Sequence, residues 1–269
     1  MNSHLTALRI ASLALPLLIL AGCIVPSAHV TLPDSSILER DQLVIRSDFH
    51  IPSRHRLVEE LALKRMDMAD QLKLPLSNEP INVYVFKREK DFSAYMNREH
   101  SEFPNRRAFF VKNDTTMKIY AFWGDKVGED LRHEAAHGYL HSVIPNLQLW
   151  LDEGIAEYYE IPRGEHGFNR KHVYLLNESF RRGDWTPNLR ELETIDDPAS
   201  MTQQQYAEAW LWVHFLLESK EGDQQILQDQ LARLRMSAEA EPLSKFFDKQ
   251  IDDKDVAIIE HLKKLAEEL

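Results

Sequence analysis

Hydrophobic patterning changes its period near residue 125, and that change limits what the chain can fold into. Before it, strand signals recur: 42–49, 81–86, 107–111 and 117–122 are short runs rich in Val, Ile, Phe and Tyr. The last two flank Asn113-Asp114-Thr115 and predict a hairpin. Residues 53–73 have helical spacing, with Leu57, Leu61, Met68 and Leu72 near one face, and 87–98 predicts a short helix. After Asp125 strand signals nearly vanish. Helical spacing follows at about 126–142, 150–160, 167–182, 202–219, 222–236 and 253–268, with a short helix at 243–250. The pattern predicts an α+β fold: a small mixed β-sheet with helices (about 41–124), then a helical half (about 125–269). No repeat or low-complexity tract interrupts it.

The first 22 residues stand apart. They carry one charge, Arg9, followed by an apolar run from Ile10 to Ala21 that is about half the ~20 residues a spanning helix needs. A positive start, a short apolar centre and small residues at the end read as a secretory signal peptide. It closes on Leu20-Ala21-Gly22-Cys23, which resembles the lipobox of bacterial lipoproteins. The resemblance implies cleavage before Cys23, lipidation of its sulfur and acylation of the new amino group. Several acyl chains give stable anchoring where one does not. Because Ile24 is not an aspartate, the resemblance also implies an outer-membrane protein facing the periplasm. Residues 23–40, with Pro26, Ser27, Pro33, Ser35 and Ser36, predict a tether from that anchor to the domain.

Cys23 is the chain's single cysteine, so no internal disulfide can form, and a metal site must be built from His and carboxylates. With 32 Lys+Arg against 43 Asp+Glu the formal net charge is −11. An acidic chain without a basic cluster repels phosphate, which argues against a nucleic-acid partner.

His133-Glu134-Ala135-Ala136-His137 lies in the first helix of the helical half. Histidines four apart share a helix face and can offer nitrogens to one metal, while Glu134, one step round, can reach a water on it. The pattern needs context, and Trp150-Leu151-Asp152-Glu153-Gly154-Ile155-Ala156-Glu157 supplies it. A loop around Pro145-Asn146 lets this second helix fold back on the first, so that Glu153 completes a His/His/Glu set and leaves the fourth zinc position to water. Glu157, one turn on, can hydrogen-bond the far side of a ligand ring, and Glu160 is the less direct alternative.

The two segments resemble the gluzincin metallopeptidases, and the body from about 42 to 235 looks like the peptidase-MA-like domains of bacterial proteins. The resemblance implies a zincin-like fold, Zn2+ held by His133, His137 and Glu153, and Glu134 as general base. His141 lies about 12 Å of helix rise beyond His133 and only four residues after His137, so the metzincin spacing fails and a structural or rim role is expected. The helix opening at Tyr206-Ala207-Glu208-Ala209 is similar to one that, in the aminopeptidase branch, brings a tyrosine hydroxyl to the site. That makes Tyr206 the candidate oxyanion donor, with His214, two turns on, the alternative. The edge of strand 117–122, which runs into the zinc helix, could hold an extended peptide by strand addition.

The activity these features imply is zinc-dependent hydrolysis of peptide bonds, with a peptide or protein as substrate and the membrane as partner through Cys23. The Gly-x-Met-x-Asn segment of aminopeptidases is absent, which favours an endopeptidase. The alternative is an envelope lipoprotein of the same fold that acts by binding or assembly with little turnover. The intact Glu134 discriminates, since a scaffold can keep the metal and lose the base.

Overall fold

The computed structural model describes residues 30–101, 106–219, 224–237, 240–250 and 254–269. The signal segment and Cys23 lie outside them. Ser36–Arg40 (β1) and Leu43–Ser47 (β2) pair antiparallel, and Arg56–Gln71 (α1) crosses to Ile81–Phe86 (β3), parallel to β2. Glu89–Glu99 (α2) leads to the hairpin Ala108–Lys112 (β4) and Met117–Phe122 (β5), with β5 parallel to β3. The sheet order is β1-β2-β3-β5-β4.

Two expectations change here. Ser36–Arg40, which its Pro- and Ser-rich surroundings assigned to the tether, is an edge strand. And β5 lies inside the sheet, so among the described residues the outer strand on that side is β4.

Side-chain alternation gives the sheet two faces. Ile81, Val83, Val85, Met117, Ile119 and Ala121 point to the main core with α1. Phe86, Phe109 and Tyr120 point the other way, onto Phe92, Tyr95 and Met96 of α2.

The second half is helical: Val127–His141 (α3), Leu149–Glu160 (α4), Arg170–Arg182 (α5), Leu189–Leu192 (α6), Gln203–Glu218 (α7), Gln224–Met236 (α8), Leu243–Gln250 (α9) and Lys254–Ala266 (α10). The α3 helix lies close on the sheet at Gly138, where a Cβ would come within 2.8 Å of Ile81 Cδ1. The α4 helix runs back along α3 and is covered by α7, with Trp150, Trp210 and Trp212 fully buried around that crossing. A capping box between Thr202 and Gln205 fixes the start of α7 and so the position of Tyr206. Among the described residues no helix is long and apolar enough to cross a membrane. The mixed α+β architecture, sheet first and helices after, is as the patterning predicts.

Candidate metal centre

Three side chains converge where α3 faces α4. His133 Nε2 and His137 Nε2 are 3.2 Å apart, and Glu153 Oε2 lies 3.5 Å from the first and 3.7 Å from the second. Ligand atoms about 2.0–2.1 Å from a zinc at tetrahedral angles are themselves about 3.3–3.4 Å apart. The spacing therefore fits that ion without rearrangement.

Proton placement makes the same point. Asp152 Oδ1 is 2.8 Å from His137 Nδ1 and Glu160 Oε2 is 3.3 Å from His133 Nδ1. An ionised carboxylate only accepts, so each Nδ1 carries the proton and each Nε2 of a neutral ring turns a lone pair inward. Glu153 Oε2, buried and without a hydrogen-bond partner, adds a third. Three lone pairs facing one another in a buried site leave each unsatisfied unless a proton or a metal cation sits among them. Burial opposes charge on both rings, yet the carboxylates prevail. Glu153 and Glu160 hold His133 well above the ordinary range, and Asp152 and Glu153 raise His137 to about 9. The site is built to hold positive charge.

The two helices are antiparallel, and that decides which carboxylate serves which ring. His133 sits one turn before His137 on α3 and so faces α4 further toward its C-terminal end. Glu160 takes the place expected for Glu157, whose Oε2 holds His172 Nε2 at 2.8 Å instead. Asp152, not anticipated in this role, supports His137. Its second oxygen accepts from His141 Nε2 at 2.8 Å, so His141 is neither a ligand of the converging set nor an idle rim residue. His137, His141 and Asp152, and separately His133, Glu157 and Glu160, also lie close enough to share an ion. Their contacts are already satisfied by direct hydrogen bonds, whereas Glu153 Oε2 is not.

Glu134 lines two adjoining cavities of about 370 and 380 Å³ that share Arg106, Ala108 and His133. Burial pushes its carboxyl above the usual range against the pull of His133 and His137. The first cavity is polar and reaches Glu157, Glu160, Gln203 and Tyr206. The second is walled by Phe109, Phe110, Leu149, Pro198 and Ala199.

Tyr206 is thus at the site, and its hydroxyl accepts a hydrogen bond from Arg106 Nη2 at 3.1 Å. His214 is not at the site. Its Nδ1 is 2.9 Å from His261 Nε2 of α10, its ring packs on Tyr158 and Trp210, and burial with the neighbouring His261 lowers its pKa to about 3. It belongs to the wall of a larger hollow of about 1000 Å³ among α5, α7 and α10, remote from the converging ligands. Arg106 is the residue the sequence left unmarked, since a lone cation ahead of a strand carries no pattern. No protein-family model matches the chain, and no curated protein matches it in sequence.

Proposed function

We propose that the protein hydrolyses peptide bonds with a zinc ion held by His133, His137 and Glu153, as a gluzincin-type metallopeptidase of zincin-like fold. The observation that carries this reading is the inward convergence of two imidazole lone pairs and an orphaned buried carboxylate oxygen beside Glu134. Bound there, zinc supplies a Lewis acid for the substrate carbonyl and lowers the pKa of a water. Glu134, its carboxyl raised above the usual range by burial, takes the proton of the attacking water and returns it to the leaving amine as the C–N bond breaks. Tyr206 donates its hydroxyl proton to the developing oxyanion. Asp152 and Glu160 hold the two rings in one tautomer. An extended peptide pairs with the outer edge of β4, which borders both cavities.

The absence of the aminopeptidase segment supports internal cleavage over removal of N-terminal residues. The lipobox supports an outer-membrane lipoprotein anchored through Cys23, which Cys23→Ser tests by loss of palmitate labelling.

The deciding experiment is metal analysis of the purified mature protein with a peptide-library cleavage assay. About one zinc per chain is expected, with most of it lost in His133→Ala or His137→Ala. Glu134→Gln should keep the zinc and abolish cleavage. Full zinc in both histidine variants would overturn the site, and a cellular function that survives Glu134→Gln would make the protein a binding scaffold. Tyr206→Phe, which keeps the ring, should cost on the order of 10²–10³ in turnover.

A further inference from the structure

Arg106 and Arg107 stand side by side ahead of β4 and differ in what they hold. Arg107 is spent: its guanidinium grips Asp130 at 2.6 Å and reaches Glu129 at 3.3 Å. Arg106 forms no ion pair among the described residues. It donates once, to Tyr206 Oη, and lies 5.9 Å from that ring's centre. It lines both cavities, beside His133 and Glu134. A guanidinium whose other donors find no partner among the described residues, in a cleft that also holds carboxylates, is an asymmetric choice, because a cation placed only to balance Glu134 would pair with it.

The position has a direction. β4 and α3 advance in step, with Arg107 at Asp130, Phe110 beside His137 and His141, and Lys112 donating to His141 O. A peptide added to the β4 edge pairs more stably antiparallel than parallel. Run antiparallel, it crosses from the Phe110 end to the Ala108 end, and its C-terminal side arrives at Arg106, just past the end of the strand ladder. The apolar cavity then takes the N-terminal side and the polar cavity the C-terminal side.

We infer that Arg106 is a substrate-carboxylate receptor, which gives the site a preference for peptides bearing a carboxylate shortly after the scissile bond. This rests on the peptidase reading above. Either the free C-terminus of a short leaving segment or an Asp/Glu side chain presents the same two oxygens, which match a guanidinium's paired donors.

The test uses N-acetylated octapeptide libraries made as C-terminal acids and as C-terminal amides, the amides with either Glu or Gln at each position. Wild-type protein should cleave one carboxylate-bearing set about ten- to a hundredfold better in kcat/KM, the size of a charge-assisted hydrogen bond. Preference for acid over amide identifies the C-terminus, and preference for Glu over Gln among the amides identifies a side chain. In Arg106→Gln the preference ratio should fall to near one with zinc content unchanged, and Arg106→Lys should restore part of it. A wild-type ratio near one in both arms, or a ratio unmoved by Arg106→Gln, overturns the assignment. If no library is cleaved, the peptidase reading has failed. Retention of the acid and amide libraries on immobilised zinc-loaded Glu134→Gln protein then decides the receptor alone. Arg106-dependent retention of one carboxylate set supports it, and equal retention overturns it.

Discussion

Asp152 accepts from His137 through one oxygen and from His141 through the other, each at 2.8 Å, in a buried position. Burial alone would raise its carboxyl, but the two rings outweigh it and hold Asp152 below the usual carboxylate range. Loss of such outer support typically weakens metal affinity by about 10–100-fold. Asp152→Ala and Glu160→Gln should each show that loss in competition with a chromophoric chelator. Glu157→Gln should leave zinc affinity close to wild type, because its carboxylate holds His172. Equal losses in all three would mean that the α4 carboxylates act as one charge rather than ring by ring.

His214 makes a different prediction. Its folded pKa, about 3, lies below its unfolded value. Above pH ~6.5 the ring is neutral in both states and titration adds nothing. As pH falls from there toward 3, the unfolded chain takes a proton that the folded chain refuses, so stability is lost by about 1.4 kcal/mol per pH unit. His214→Gln lacks this penalty. Denaturant unfolding at pH 7 and pH 5 should show the stability gap between wild type and variant narrowing by about 2 kcal/mol at the lower pH. A constant gap would mean that the His214–His261 contact does not exclude the proton.

At the scale of elements, the α4–α7 crossing is the tightest contact near the site. A Cβ on Gly154 would lie 2.6 Å from Ala209 O, which is backbone and cannot swing aside. Gly154→Ala must therefore push the helices apart, at about 1–3 kcal/mol or more. Glu153 is the neighbouring residue, so zinc affinity should fall together with the thermal midpoint. A variant that loses stability and keeps wild-type zinc affinity would show that α3 alone positions the ligands.

The α3–α4 pair was legible in the sequence because two signals coincide there: helical periodicity, and metal-ligand residues at helical spacing on both sides of a Pro-Asn turn. What that pattern does not contain is how far one helix slides along the other. The slide assigns His133 to Glu160 rather than Glu157 and brings Asp152 to His137. β1 escaped notice for another reason. It is an outer strand with alternate residues in solvent, Ile37 among them, and its prolines and serines outweigh five residues of weak alternation. The four-residue α6 is too short to show a period at all.

Across the whole molecule, helices from both halves converge on the C-terminal end of α4. Lys64 of α1 donates to Ile161 O at 2.6 Å and Arg132 of α3 to Glu160 O at 2.5 Å, placing two cations where the helix dipole is negative. These contacts fix the turn that carries Glu160. An ion held as proposed would join α3 to α4 within the helical half. A ligand bound only by the folded state stabilises it in proportion to RT ln([L]/Kd), about 4 kcal/mol at a thousandfold excess over Kd. Chelator should lower the melting midpoint of the wild-type protein by several degrees and leave a His133→Ala/His137→Ala double variant unmoved. A wild-type midpoint indifferent to chelator would separate metal binding from folding.

The proposed ligands and the carboxylates that steady them all fall between residues 133 and 160, on one helical hairpin, whereas Arg106, β4, the 197–199 turn and Tyr206 come from the chain on either side. The proposed metal set and the cleft lining are therefore written in different stretches of sequence. Insertions ahead of β4 or between α6 and α7 can change what enters the cleft while the hairpin stays as it is. On the proposed reading, what the protein cleaves can change without a change in how it cleaves.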